Sequence, residues 1–180
     1  MPEGSWWKQV SASAKLSLCQ GEYLPGILIP QVPLEAFRGE RAALRMDETD
    51  AIVLTQSCDL ENEKVQSVAV CGVHEASNFQ RAYPAFFGNN PGAKWGNIKS
   101  GRVEGVHLLT HPNPTRESGP VLVVLFQEIW SLPLEYVKAH AADRDRFMLA
   151  PPYLEAFSQA FGKYFMRVAL PTGVPPFSVS

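Results

Sequence analysis

The feature that most constrains this fold is the passage from Ala51-Ile52-Val53-Leu54 into Thr55-Gln56-Ser57-Cys58-Asp59-Leu60. A continuous aliphatic run following an acidic cluster reads as a buried strand, and its abrupt turn to small polar residues marks the strand's end. A thiol between a hydroxyl and a carboxylate at such an end is where a β-scaffold often presents a site. It is also where a strand simply stops. Glu61-Asn62-Glu63-Lys64 makes a turn, and Val65–Val73 follows as a second apolar run. The short connection and the matched runs predict an antiparallel pair.

Other strands are expected at Gly26–Ile29, Val103–Thr110, Val121–Trp130 and Arg146–Leu149. Prolines at 25 and 30 confine the first of these to an edge or a bulge. Trp6–Leu18 is expected to form a short helix that ends at Gln20-Gly21. Residues 33–49 form a charged excursion with one helical turn at Leu34–Phe37, and Pro133 opens another short helix. Ala76–Ser100 is expected to be an irregular aromatic loop. From Pro151-Pro152 onward, Leu154, Phe157, Phe161, Phe165 and Val168 recur at steps of three and four, so an amphipathic helix over 151–169 packs one face on the sheet. Arg167 suits its last turn and Pro171 ends it.

With 180 residues, 46% apolar and 19% charged, the chain is long enough for one domain with a real core and too apolar for wholesale disorder. Fifteen prolines and thirteen glycines punctuate short elements and favour a β-rich barrel or sandwich. A formal charge of −2 supplies no global footprint for nucleic acid. Three cysteines, an odd number, argue for a reducing compartment. No apolar run reaches membrane-spanning length, and the N-terminus lacks a leader pattern, so a cytoplasmic protein is expected.

The succession of Gly21-Glu22, an apolar strand, a long loop, Asp50–Ser57, Val68–His74 and Leu125-Phe126-Gln127-Glu128-Ile129-Trp130-Ser131-Leu132 resembles the MazF/PemK-like toxin barrel over about two thirds of the chain. That resemblance implies an α+β, β-rich fold: a small SH3-like barrel with a C-terminal amphipathic helix. The family's ribonucleases keep an arginine at the start of the second strand and a threonine closing the third; here Asp50 and His74 stand there. Without that cation the main electrostatic stabilisation of RNA cleavage is missing. The expectation is therefore a catalytically degenerate barrel that acts as a protein-binding accessory in a bacterial defence or toxin–antitoxin system. RNA is a secondary candidate partner. Thr55–Leu60 and Leu154–Pro171 also resemble signatures of small bacterial proteins, some associated with defence loci.

The enzymatic alternative is an endoribonuclease with altered residues or a Cys58-dependent hydrolase, with Cys58 as nucleophile, His74 as base and Asp59 beside them. His107 and His111 are other candidate bases. A neighbouring carboxylate opposes thiolate formation, and a buried cysteine at a strand end is the plain structural reading. Cys58, Cys71 and His74, completed by Cys19 or His107, offer an alternative zinc site, although Cys71 and His74 share a strand face only if a bulge occurs at Gly72. No cofactor is otherwise implied. Gln56, Ser57, Arg45 and Trp95 are candidate binding residues. Arg38, Arg41 and Arg45 share one helical spacing, but Glu40, Asp47 and Glu48 neutralise them. His111-Pro112-Asn113-Pro114 reads as a rigid turn.

Overall fold

The computed structural model describes residues 5–10, 18–62, 64–113, 120–142 and 144–166. The aliphatic run forms the end of strand β3 (Arg45–Val53), and strand β4 (Ser67–Glu75) lies antiparallel to it, pairing Asp50 with Val73 through Val53 with Val70. The turn between them is a short helix, α2 (Ser57–Glu61). Strand β2 (Glu22–Gln31) pairs with the other side of β3, and β6 (Val121–Pro133) pairs with the other side of β4. β5 (Val106–Thr110), β7 (Arg146–Leu149) and β1 (Trp7–Val10) complete a seven-stranded antiparallel sheet in the order β1-β7-β2-β3-β4-β6-β5.

The class is α+β and β-rich, as expected, but the SH3-like barrel is not formed. The end strands β1 and β5 share no backbone ladder among the described residues, so the sheet is open. A single side-chain bond spans them, from Trp7 Nε1–H to the Thr110 carbonyl at 2.8 Å. The physical reason is coverage. A small barrel buries one sheet face against itself, whereas helices here cover both faces.

On one face, Ile27, Ile29, Ala51, Val53, Val68 and Val70 pack with Leu60 of α2 and with Val137 and Ala141 of α6 (Leu134–Ala142). Val123 and Leu125, facing away from Val124 on β6, pack with helices α3 (Ala76–Ala82), α4 (Pro84–Phe87) and α5 (Pro91–Lys99) around Phe79. On the other face, Ile52, Cys71, Val73, Val124 and Phe126 meet Phe157 of α7 (Tyr153–Phe165).

Three local expectations change. Trp7–Val10 is a strand rather than a helix, because its register partner Phe147–Leu149 supplies the pairing that its own sequence cannot show; residues 11–17 lie outside the described residues. The aromatic stretch 76–100 is three short helices, with Pro84 and Pro91 in first turns and the Asn90 side chain accepting from Ala93 N–H at 3.0 Å. The third is a narrowing rather than a reversal: of the edge or bulge expected for the proline-flanked strand, β2 takes the bulge, between Leu24 and Ile27, in an interior strand. Gly26 holds φ +59° there, and its N–H donates to Asp50 Oδ1 at 2.9 Å. Leu34–Phe37 forms helix α1, as its spacing predicted. Val168, Arg167 and Pro171, assigned to the last helix from sequence, lie outside the described residues.

Candidate functional site

The polar residues after β3 serve the turn itself. Thr55 Oγ1 accepts from Ala69 N–H at 2.8 Å, which carries the ladder one step past the strand end. Ser57 Oγ accepts from Gln20 N–H at 3.0 Å, and the Gln20 side chain donates to Leu54 O at 3.0 Å. Gln56 occupies the N-cap of α2 without a side-chain cap bond. Cys58 is exposed, and its sulfur lies 3.7 Å from Gln56 Oε1 and 3.8 Å from Asp59 Oδ1. In an antiparallel pair the end of β3 lies beside the start of β4, so His74 stands at the opposite end of the pair from Cys58. Four residues from Val70 to His74 span roughly 13 Å at strand rise. The proposed Cys58–His74–Asp59 grouping is not assembled.

His74 meets other partners. Its Nε2 lies 2.7 Å from Glu128 Oε2, and the Tyr83 hydroxyl donates to Glu128 Oε1. The rings of Phe79 and Tyr83 flank the imidazole at 6.0 and 5.8 Å. Two local features bring Glu128 there. The β4–β6 register jumps from Cys71↔Ile129 to Gly72↔Leu125, leaving Phe126, Gln127 and Glu128 bulged and re-aiming Glu128 to the His74 side. Gly72 then leaves room, since a Cβ on it would lie 2.4 Å from Glu128 Oε2. Burial alone would raise the Glu128 carboxyl, but the bonds to His74 and Tyr83 outweigh it and hold it below its ordinary range. Burial first, and then the carboxylate, push the Tyr83 hydroxyl up to about 12.

The candidate zinc ligands are not brought together by the same geometry. A bulge does occur beside Gly72, yet Cys71 stays on the α7 face, where its thiol donates to Leu125 O at 3.1 Å and is pushed up to about 12 by burial and by Glu128. His74 is on the other face, held by Glu128. Among the described residues no three potential ligands gather. His107 stacks near Phe126 and Phe157, and burial lowers it to about 4. His111 packs its ring 6.1 Å from that of Tyr23. Asp50 anchors the β2 bulge, accepting from the Tyr23 hydroxyl at 2.6 Å as well as from Gly26. Trp95 is a packing residue: its ring lies 5.0 Å from Phe87, and its indole N–H donates to Gln80 at 2.7 Å. At the Gly21-Glu22 entry, Glu22 is buried against Arg146 in a two-bond pair of 2.5 and 2.8 Å.

Arg45 lies in a different environment. Ile27–Gln31 of β2 and Arg45–Thr49 of β3 pair only with each other, forming a two-stranded arm with α1 at its tip. Register sets Leu28 opposite Glu48 and Pro30 opposite Met46, and the alternation continues to Val32 and Leu44. The inner residues Ile27 and Ile29 are buried, while Leu28, Val32, Leu44 and Met46 are exposed on the outer face. Leu34 and Phe37 on α1 are exposed as well, Phe37 to 76%. Arg45 lies 3.7 Å from Asp47, and Glu35, Glu40 and Glu48 offset the remaining arginines. Sequence reading weighed the charges of this stretch; its apolar alternation at 28, 30, 32, 44 and 46 was the signal to be had. Among the described residues no helix is long and apolar enough to cross a membrane. No protein family and no curated protein matches this chain in sequence.

Proposed function

We propose that the protein is a binding module for another protein and that the β2–β3 arm is its docking surface. One observation carries this: exposed apolar side chains at Leu28, Val32, Leu44 and Met46, with Leu34 and Phe37 exposed on the helix at the tip, on a ribbon otherwise balanced in charge. Contiguous apolar surface rimmed by polar residues marks interaction sites in soluble proteins, and an aromatic such as Phe37 is the kind of anchor that dominates binding energy. The same balance of Arg38, Arg41 and Arg45 against four carboxylates disfavours an RNA groove. The toxin–antitoxin setting rested on the barrel resemblance, which the open sheet does not support; a defence setting rests on the resemblance of Thr55–Leu60 and Leu154–Pro171 alone.

A photo-crosslinker placed at Met46 should capture one protein in cells, and the purified pair should bind. Phe37→Asp should weaken that binding by about a hundredfold or more with no loss of thermal stability, as for a hot-spot anchor. Equal affinity in the variant, or a crosslink only to a second copy of this chain, would reject the reading.

The enzymatic alternative draws on His74, oriented by Glu128 as a base would be. Purified protein incubated with long unstructured RNA is expected to leave it intact. Mapped cuts that vanish on His74→Ala or Arg45→Ala would establish the ribonuclease instead.

A further inference from the structure

Among the described residues β5 ends the sheet, and its main chain is only half used. Phe126 N–H donates to Gly105 O at 2.9 Å, and His111 N–H donates to Pro120 O at 3.0 Å. With Val106 opposite Leu125 and Thr110 opposite Val121, antiparallel alternation makes His107 and Leu109 the residues that exchange bonds with β6. The N–H and C=O groups of Val106 and Leu108 therefore point away from the sheet. The Thr110 carbonyl shows the same parity, since it reaches outward to Trp7 Nε1–H at 2.8 Å. No described group bonds to the outward pairs of Val106 and Leu108.

Beside this edge lies a cavity of about 430 Å³, bounded by Trp6, Ile98, Lys99, Leu108, Thr110 and Val121. Natural edge strands are usually blunted by charge, proline, a bulge or a cover. Val106-His107-Leu108-Leu109-Thr110 has no charged residue and no proline, and burial keeps His107 neutral down to about pH 4. Lys99, the last residue of α5, is the one charged side chain on the cavity wall among the described residues.

We propose that this edge takes an extended peptide segment of a partner protein, added as a strand beside β5, with apolar side chains in the cavity and a carboxylate at Lys99. Main-chain pairing to an open edge with alternate side chains in pockets is an established mode of peptide recognition. A small apolar acid would fill the cavity but would leave the outward groups of Val106 and Leu108 unpaired. A peptide strand satisfies both. The carboxylate comes either from an acidic side chain or from the peptide's own C-terminus. This surface is distinct from the arm, so the two proposals stand or fall separately.

Hydrogen exchange of the free protein comes first. The amides of Val106 and Leu108 should exchange at least about a hundredfold faster than those of His107 and Leu109. Slow exchange at all four would mean that the edge is already covered, by this chain or a second copy, and would overturn the proposal. Random dodecapeptides are then selected on phage, once with free C-termini and once with the C-terminus fused, which separates the two carboxylate sources. Enriched peptides, made synthetically, should protect Val106 and Leu108 from exchange. N-methylation at alternate residues or Lys99→Glu should each weaken binding by about tenfold or more. No enrichment, protection elsewhere, or indifference to N-methylation would each reject strand addition, the last in favour of an apolar small-molecule cavity.

Discussion

Gly72 is the position where one added carbon does the most damage. Its missing Cβ is the space that the Glu128 carboxylate fills, with Glu128 Cβ itself only 3.1 Å from where the methyl would stand. Gly72→Ala should expel that carboxylate from His74 and Tyr83 and destabilise the fold by about 2–4 kcal/mol in urea melts. Glu128→Ala loses the same hydrogen bonds. The double variant's destabilisation should therefore fall at least about 1 kcal/mol short of the sum of the singles, a coupling that independent sites would not show. Little of this was legible beforehand. His74 and Gly72 stand out in sequence, but Glu128 reaches them only through a bulge of β6, and the unbroken apolar run Val121–Phe126 hides where the alternation changes face. Conversely, Gln56, Ser57 and Cys58 attracted attention for their reactivity. A sequence shows what a hydroxyl can do, not that Gln20 N–H already uses it.

At the scale of elements, strands and the last helix were the readable part, because period-two and period-3.6 burial is written directly in side-chain type. β7 and the β3–β4 pair fall where the apolar runs are. The helical stripe over 154–165 is real but graded: Phe157 is fully buried, Phe161 packs its ring 5.6 Å from that of Phe126, and Phe165 is 55% exposed. Phe157→Ala should destabilise the protein by about 3–5 kcal/mol, and Phe165→Ala by less than about 1 kcal/mol. Equal losses in denaturant melts would mean that α7 is rotated or covered. The helices at 76–99 escaped notice because each is too short to display a stripe, although Asn90-Pro91 carries a start signal.

The whole molecule combines these parts into a characteristic response to acid. His107 is lowered from an ordinary 6.5 to about 4 by burial, with Glu104 and Lys163 on the cavity wall to one side of it and Lys99 to the other. The unfolded chain binds that proton first, so stability is intact above pH 6.5 and is lost as pH falls toward 4. The full effect is about 3 kcal/mol. Glu128, held below its ordinary range, adds a further loss as pH falls through the carboxylate region. Chemical denaturation across pH 4–7 should show this slope, and His107→Phe should flatten its upper part. A wild-type stability independent of pH over that range would contradict the burial of His107. Topology, by contrast, could not be read from sequence, since only pairing across the chain decides whether a sheet closes or stays open.

The pairing of Trp7 with Leu149 sets an order of events during synthesis. Among the described strands, the first in order borders the last, with the other five between them in sequence. At about 5–20 residues per second, Trp7 and Val10 wait on the order of ten seconds for their neighbours. Throughout that interval the rest of the sheet must assemble without one of its borders, while Trp7 and Val10 lack the strand that pairs with them. An emerging chain of this design depends on the speed of its own completion, or on a chaperone that holds the first strand until the seventh arrives.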